Sequence, residues 1–146
     1  RNMILVWDTF GKVIDCVVNT PGSYHDSTST TLGDIYEHIK TLPDGAKIVA
    51  DSAFCGTGEM LGRVVKVGNF RDEDQAHIRR AITHLRQNAK WGNNTILSTY
   101  KRLQGAFPTN NTERCTRMWC AILLHNWRTE FGEPNQTKTY FDNLIR

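Results

Sequence analysis

The hydrophobic pattern of this chain changes period at Phe70, and that change limits the folds open to it. Before Phe70, short apolar runs bounded by turn residues read as strands. After it, apolar residues step by three and four, as they do along one stripe of a helix. Met3-Ile4-Leu5-Val6-Trp7 is a compact apolar strand, Asp8-Thr9-Phe10-Gly11 is turn chemistry, and Lys12 to Val18 is a second strand rich in β-branched residues. Together they predict a β-hairpin. Asn19 to Ser27 carries Pro21 and Gly22 and reads as loop. A helix over about Ser29 to Ile39 would place Leu32, Ile35, Tyr36 and Ile39 on one stripe, and Pro43-Asp44-Gly45 forces a turn.

Lys47-Ile48-Val49-Ala50-Asp51 is a short apolar strand that runs straight into a carboxylate, with small and loop-forming residues through Gly58. Buried parallel strands have this texture, and open α/β sheets gather chemistry at their carboxyl ends. Arg63 to Val67 is a further candidate strand. In the helical half, Ile78, Ile82, Leu85 and Ala89 form one stripe, with Asp72, Glu73 and Asp74 at the positive end of that helix. Ile96, Tyr100, Leu103 and Phe107 repeat the stripe. Thr112 is placed to cap a third helix running to about Phe131, closed by Gly132 with Pro134 beyond. Strands first and helices after, with one βαβ crossover, predict an α/β or α+β sheet domain. The expected division is one domain over 1–132 and a frayed tail over 133–146.

At 146 residues, 39% of them hydrophobic, the chain suffices for one core and not for two. Its longest apolar run, Met118 to Leu124, falls far short of the roughly 20 residues that cross a bilayer. Arg1 opens the chain with no initiator Met and a strand follows almost at once, which reads as a piece of a longer protein. The charge is segregated. Residues 1–73 hold 7 Lys/Arg against 10 Asp/Glu, and residues 74–146 hold 11 against 5. An acidic half followed by a basic half suits a protein that holds cations with one part and a polyanion with the other; solvated helix faces are the plainer explanation. The four cysteines form no C-x-x-C pair, and Cys115, Cys120 and His125 at steps of five cannot converge from one helix on a zinc ion. They read as reduced, packed thiols in an intracellular protein.

A carboxylate at a strand end, as Asp51 is, suits a hard cation such as Mg²⁺, although a polar strand cap is the commoner reason for one. Gly22-Ser23-Tyr24-His25-Asp26-Ser27 gathers an imidazole, a carboxylate and hydroxyls in one loop, where an ordinary side-chain-capped turn is the alternative. Phosphate-cradling glycine motifs are absent, and Gly56-Thr57-Gly58 is too short to hold a pyrophosphate. Trp91, Trp119 and Trp127 read as core and hinge packing rather than base-stacking platforms.

Three ordered motifs carry a family resemblance. They are Thr20-Pro21-Gly22-Ser23-Tyr24-His25-Asp26-Ser27; Ile48-Val49-Ala50-Asp51-Ser52-Ala53-Phe54; and Leu85-Arg86-Gln87-Asn88-Ala89-Lys90-Trp91-Gly92 followed by Leu103-Gln104-Gly105-Ala106-Phe107-Pro108. With Leu124-His125-Asn126 as a further landmark, residues 1–130 resemble the DDE superfamily endonuclease domain of Harbinger-type transposases, in particular fungal copies. The resemblance implies an α/β, RNase H-like fold: a mixed five-stranded sheet, order 3-2-1-4-5, with helices on both faces. It implies a metal-dependent DNA endonuclease or transposase in the nucleus, often with a companion DNA-binding protein. It also implies a catalytic Asp-Asp-Glu set holding two Mg²⁺ or Mn²⁺ ions, which activate the attacking oxygen and stabilise the leaving one.

Asp51 matches the family's second catalytic Asp and metal ligand, while His25, Asp26 and Ser27 match a loop near the site. Two departures stand out. The family's first strand, which bears its first Asp, is missing from this chain, and its loss would leave two strands with open edges. Lys90 stands at the position of the family Glu, and an ammonium cannot ligate a metal and repels the cations such a site gathers. Glu73 or Asp74 would be a substitute only through a register slip. Lys90 could instead act as a tethered cation in a salt bridge with Asp51. Arg79, Arg80, Arg86, Lys101, Arg102, Arg114 and Arg117 are the expected grip on DNA phosphates. Two readings follow: an endonuclease-lineage domain that does not cleave as this fragment, or a non-catalytic remnant that binds DNA or a protein.

Overall fold

A computed structural model describes residues 2–54, 62–106, 108–132 and 136–144. The expected hairpin is present: β1 (Asn2–Trp7) pairs antiparallel with β2 (Val13–Thr20), with Leu5 opposite Cys16. Asp8 makes the turn. Its carboxylate accepts the N–H groups of Phe10 and Lys12 at 2.9 and 2.8 Å, and Gly11 takes a φ of 80°, which a side chain would resist. Strand β2 runs two residues past Val18, ending beyond Asn19, which sits at φ 65° beside an irregularity in the pairing.

The helix expected over Ser29 to Ile39 is two helices, α1 (Asp26–Leu32) and α2 (Ile35–Lys40). Gly33 and Asp34 separate them, and the positive φ of 57° at Asp34 cannot continue a right-handed helix. The helix also starts three residues early, because His25 caps it: the ring nitrogen accepts the Ser27 N–H.

Strands β3 (Ile48–Val49) and β4 (Val64–Val65) pair in parallel, through Ile48 N–H to the Arg63 carbonyl and Ala50 N–H to the Val65 carbonyl. Both are shorter than the apolar runs that announce them. The described residues thus form two two-stranded sheets. Gly56-Thr57-Gly58, Phe107 and Pro134 lie outside the described residues.

The basic half is helical as its periodicity requires. Helix α3 runs without a break from Ala76 to Thr99, so Ile96 belongs to it, and α4 spans Asn111–Glu130. The cap of α4 is Asn110, not Thr112: the Asn110 carboxamide oxygen accepts the Thr112 and Glu113 N–H groups at 2.9 and 3.2 Å. Gly132, at φ 102°, follows the last turn as a left-handed stop. The expected frayed tail instead carries helix α5 (Gln136–Leu144), where Thr137 is buried and Tyr140 meets Trp91 edge-on at 6.2 Å.

The chain divides into two compact units, one joining Arg1–Pro21 to Asn88–Arg146 and the other comprising Gly22–Gln87. In the first, Val13, Ile96, Leu103, Met118, Ala121 and Ile122 form the core, with Met3, Leu5, Trp7 and Val18 of the hairpin against them. Asn126 ties α4 to the sheet by imitating a strand. Its carboxamide accepts the Val13 N–H and donates to the Val13 carbonyl, both at 2.8 Å. His125 donates from Nε2 to the Gly11 carbonyl at 2.9 Å, and the edge of one ring meets the face of the other where His125 and Trp7 pack at 5.3 Å. In the second unit, Ile35, Ile39, Val64 and Ile82 are the buried apolar residues. Cys16, Cys115 and Cys120 are free thiols, and burial, with the Asp15 charge adding to it, pushes the Cys16 thiol up to about 11.

Candidate functional site

Asp51 closes the segment that follows β3, within the unit of residues 22–87. One carboxylate oxygen accepts the Ser52 N–H at 2.6 Å and lies 3.3 Å from the Ser52 hydroxyl; the other receives Arg86 Nη2 at 2.8 Å. Arg86 comes from α3, in the turn where the Leu85-Arg86-Gln87 motif begins. The Asp51 carboxyl is held below the usual carboxylate range. The Ser52 N–H is the first cause, partial desolvation opposes it, and the Arg86 guanidinium adds to the lowering.

The partner of Asp51 therefore differs from the one expected. Arg86, not Lys90, makes the salt bridge. Lys90 is exposed on α3 and has no ion pair with any described residue. The reason is chemical as well as positional: a planar guanidinium matches a carboxylate oxygen with a directed N–H, where an ammonium acts as a point charge.

His25, Asp26 and Ser27 form the start of α1. The His25 Nδ1 faces the Ser27 hydroxyl at 2.9 Å, and the Asp26 carbonyl accepts the Thr30 hydroxyl at 2.8 Å. This is a helix cap built from the loop's polar residues, and the Asp26 carboxylate has no hydrogen bond or ion pair with any described residue.

The seven basic residues expected to grip DNA fall into three groups. Arg114 is only 7% exposed; its guanidinium donates to the Asn19 side chain at 3.0 Å, to the Pro108 and Thr109 carbonyls at 2.6 and 2.7 Å, and to the Asn111 side chain at 2.8 Å. Arg79, Arg86 and Arg117 are half-buried and engaged: Arg79 Nη1 donates to the carbonyls of Phe70, Arg71 and Asp72, Arg86 meets Asp51, and Arg117 meets Glu113 at 2.5 Å. Arg80, Lys101 and Arg102 are exposed, with no ion pair among the described residues. Sequence reading missed the network of Asn19, Asn111 and Arg114, in which β2, the N-terminus of α4 and the segment before it are joined. No local pattern in the sequence announces it, since Asn19 lies 92 residues from Asn111 and 95 from Arg114.

Among the described residues, no group of three or more Asp, Glu, His or Cys side chains could hold a metal ion. Glu73 and Asp74, at the head of α3, do not join Asp51 in such a group. At Asp51 both oxygens are engaged and the neighbouring charge is positive, so a divalent ion would have to displace Arg86. The described residues do not fit a two-metal centre.

The family described as DDE superfamily endonuclease matches residues 1–126, which takes in both strand pairs, Asp51, Arg86, Lys90 and the His125-Asn126 tie. No curated protein and no solved structure matches the chain.

Proposed function

The chain belongs to the DDE superfamily endonuclease family, and from that premise we propose that it is a Harbinger-type, transposase-derived nuclear domain that holds DNA by its phosphates and does not cut it. Membership gives the chain a nuclease or transposase ancestry and DNA as the substrate of that lineage. The absence of cleavage is the narrower reading, and one observation carries it: the carboxylate at the strand end is neutralised by Arg86 at 2.8 Å and, among the described residues, is not joined by other acids in a metal-holding group. A Lys at position 90 adds a second cation to the same helix, one turn beyond Arg86.

The strand pairs support an RNase H-like origin. An antiparallel hairpin and a parallel pair are the two kinds of pairing that flank the central strand of that sheet, and here each stands as a separate two-stranded unit. DNA binding would rest on Arg80, Lys101 and Arg102, the members of the expected grip that are exposed without an ion pair among the described residues. A companion DNA-binding protein would supply sequence choice.

The test is a pair of assays on supercoiled plasmid with Mg²⁺ or Mn²⁺. We expect retarded migration of DNA by the unaltered chain and no nicking above the protein-free control. Metal-dependent nicking that disappears in Asp51→Asn would overturn the proposal.

A further inference from the structure

Helix α4 has two apolar faces, and only one of them is buried. Met118, Ala121, Ile122 and His125 point into the core of their unit. At about 100° per residue, Trp119, Leu123, Trp127 and Phe131 fall on the opposite side, as a single row of i, i+4 steps. Their relative exposures are 45%, 63%, 61% and 70%, with Leu124 half exposed beside them. Trp119 and Trp127 were expected as packing residues; the core contacts of α4 are instead made by the smaller side chains, and the indoles face solvent.

We propose that this face is a homodimer interface, occupied by α4 of a second copy of the chain. Size is the first argument. The row offers on the order of 600 Å² of apolar side chain, at the top of what a monomer ordinarily exposes. A stable interface takes about 800 Å² from each partner, so the row with a polar rim supplies the requirement.

Charge is the second argument. From Met118 to Trp127 the chain holds no Asp, Glu, Lys or Arg; Arg117 and Arg128 bound the stretch. A charged partner would lose solvation over the stretch from Trp119 to Trp127 and find no counter-charge there, whereas a second copy brings the same uncharged stretch, with Arg128 and Glu130 beside Phe131 at its rim.

Shape is the third. A row of i, i+4 side chains packs into the grooves beside an identical row at a crossing of about −50°, the commonest geometry between helices. With Leu123 at the twofold axis, Trp119 of one copy meets Trp127 of the other, so the contact closes on itself. Cys120, exposed beside the row, would be covered by the dimer.

Sedimentation equilibrium of the whole chain at tens of micromolar should give twice the chain mass, and Leu123→Glu should return it to the monomer mass with an unchanged helical circular dichroism signal. Leu32→Glu, at an equally exposed leucine of α1, is the control and should leave the dimer intact. Alkylation of Cys120 should speed up several-fold on dilution of the unaltered chain. A monomer throughout the accessible concentration range, or a dimer indifferent to both Leu123→Glu and Trp127→Glu, would refute the assignment.

Discussion

Gly92 shows how a single residue is fixed by what packs on it. A Cβ built there would lie 2.8 Å from two atoms of the Trp7 ring and 2.9 Å from a third, closer than atoms in contact allow. The ring has little room to retreat, since its Nε1 donates to Asn93 Oδ1 at 3.2 Å and the ring packs against His125. Two effects compete in Gly92→Ala: a gain of about 1 kcal/mol from helix propensity and an overpacking loss of about 1–3 kcal/mol. With the indole tethered on two sides the loss should win, leaving the variant about 1 kcal/mol less stable in urea unfolding. His125 gives a prediction in pH. Burial holds its pKa below the usual value, with the Gly11 carbonyl pulling the other way and the Arg128 charge adding to the depression. A histidine depressed in the folded state contributes stability above its unfolded pKa of about 6.5, which is lost as pH falls below it, because the unfolded chain then binds more protons. Stability should therefore decline between about pH 7 and pH 5, and His125→Gln should flatten that slope in chemical denaturation. A slope identical in the variant would remove His125 from the account.

Elements here owe their ends to side chains as much as to the backbone. Asp8 closes the hairpin, His25 opens α1, Asn110 opens α4, and Gly132 closes it. Two of these four, Asp8 and Gly132, were legible as turn or stop chemistry; the caps were not, since the spacing suggested Thr112 for α4 and a start near Ser29 for the helix that His25 opens. The hairpin, the Ile48–Val49 strand and the two long helices were legible for the same reason: a sustained period of two or of 3.6 leaves few alternatives. The break at Gly33-Asp34 was not legible, since Leu32, Ile35 and Ile39 keep helical spacing straight across it. Neither was α5, because Gln136–Leu144 is mostly polar and gains helical form partly from packing, as in the contact of Tyr140 with Trp91. The Asn126 tie needs two elements far apart in sequence, and no local pattern reports it.

For the molecule as a whole, the charge imbalance between the halves is real, but most of the expected grip is engaged. Arg114, Arg79, Arg86 and Arg117 serve caps, carbonyls and ion pairs, which leaves Arg80, Lys101 and Arg102 facing solvent without ion pairs among the described residues. Each phosphate contact adds about 0.9 to the dependence of log affinity on log salt, so Lys101 and Arg102, which share one unit, should together contribute about −2 to the slope of DNA binding. Replacing Lys101 and Arg102 by Gln should reduce that slope by about 2, measured by fluorescence anisotropy on duplex DNA; an unchanged slope would mean that they do not meet phosphate. The sequence alone determined the family, the order of strands and helices, the acid at the strand end and the Lys at position 90, because motifs and periodicities are properties of neighbours along the chain. Only the tertiary structure decided which cation Asp51 meets, which arginines are buried and which face of α4 is left bare. Those depend on residues distant in sequence competing for the same partner, and the winner is set by reach and packing that no local pattern contains.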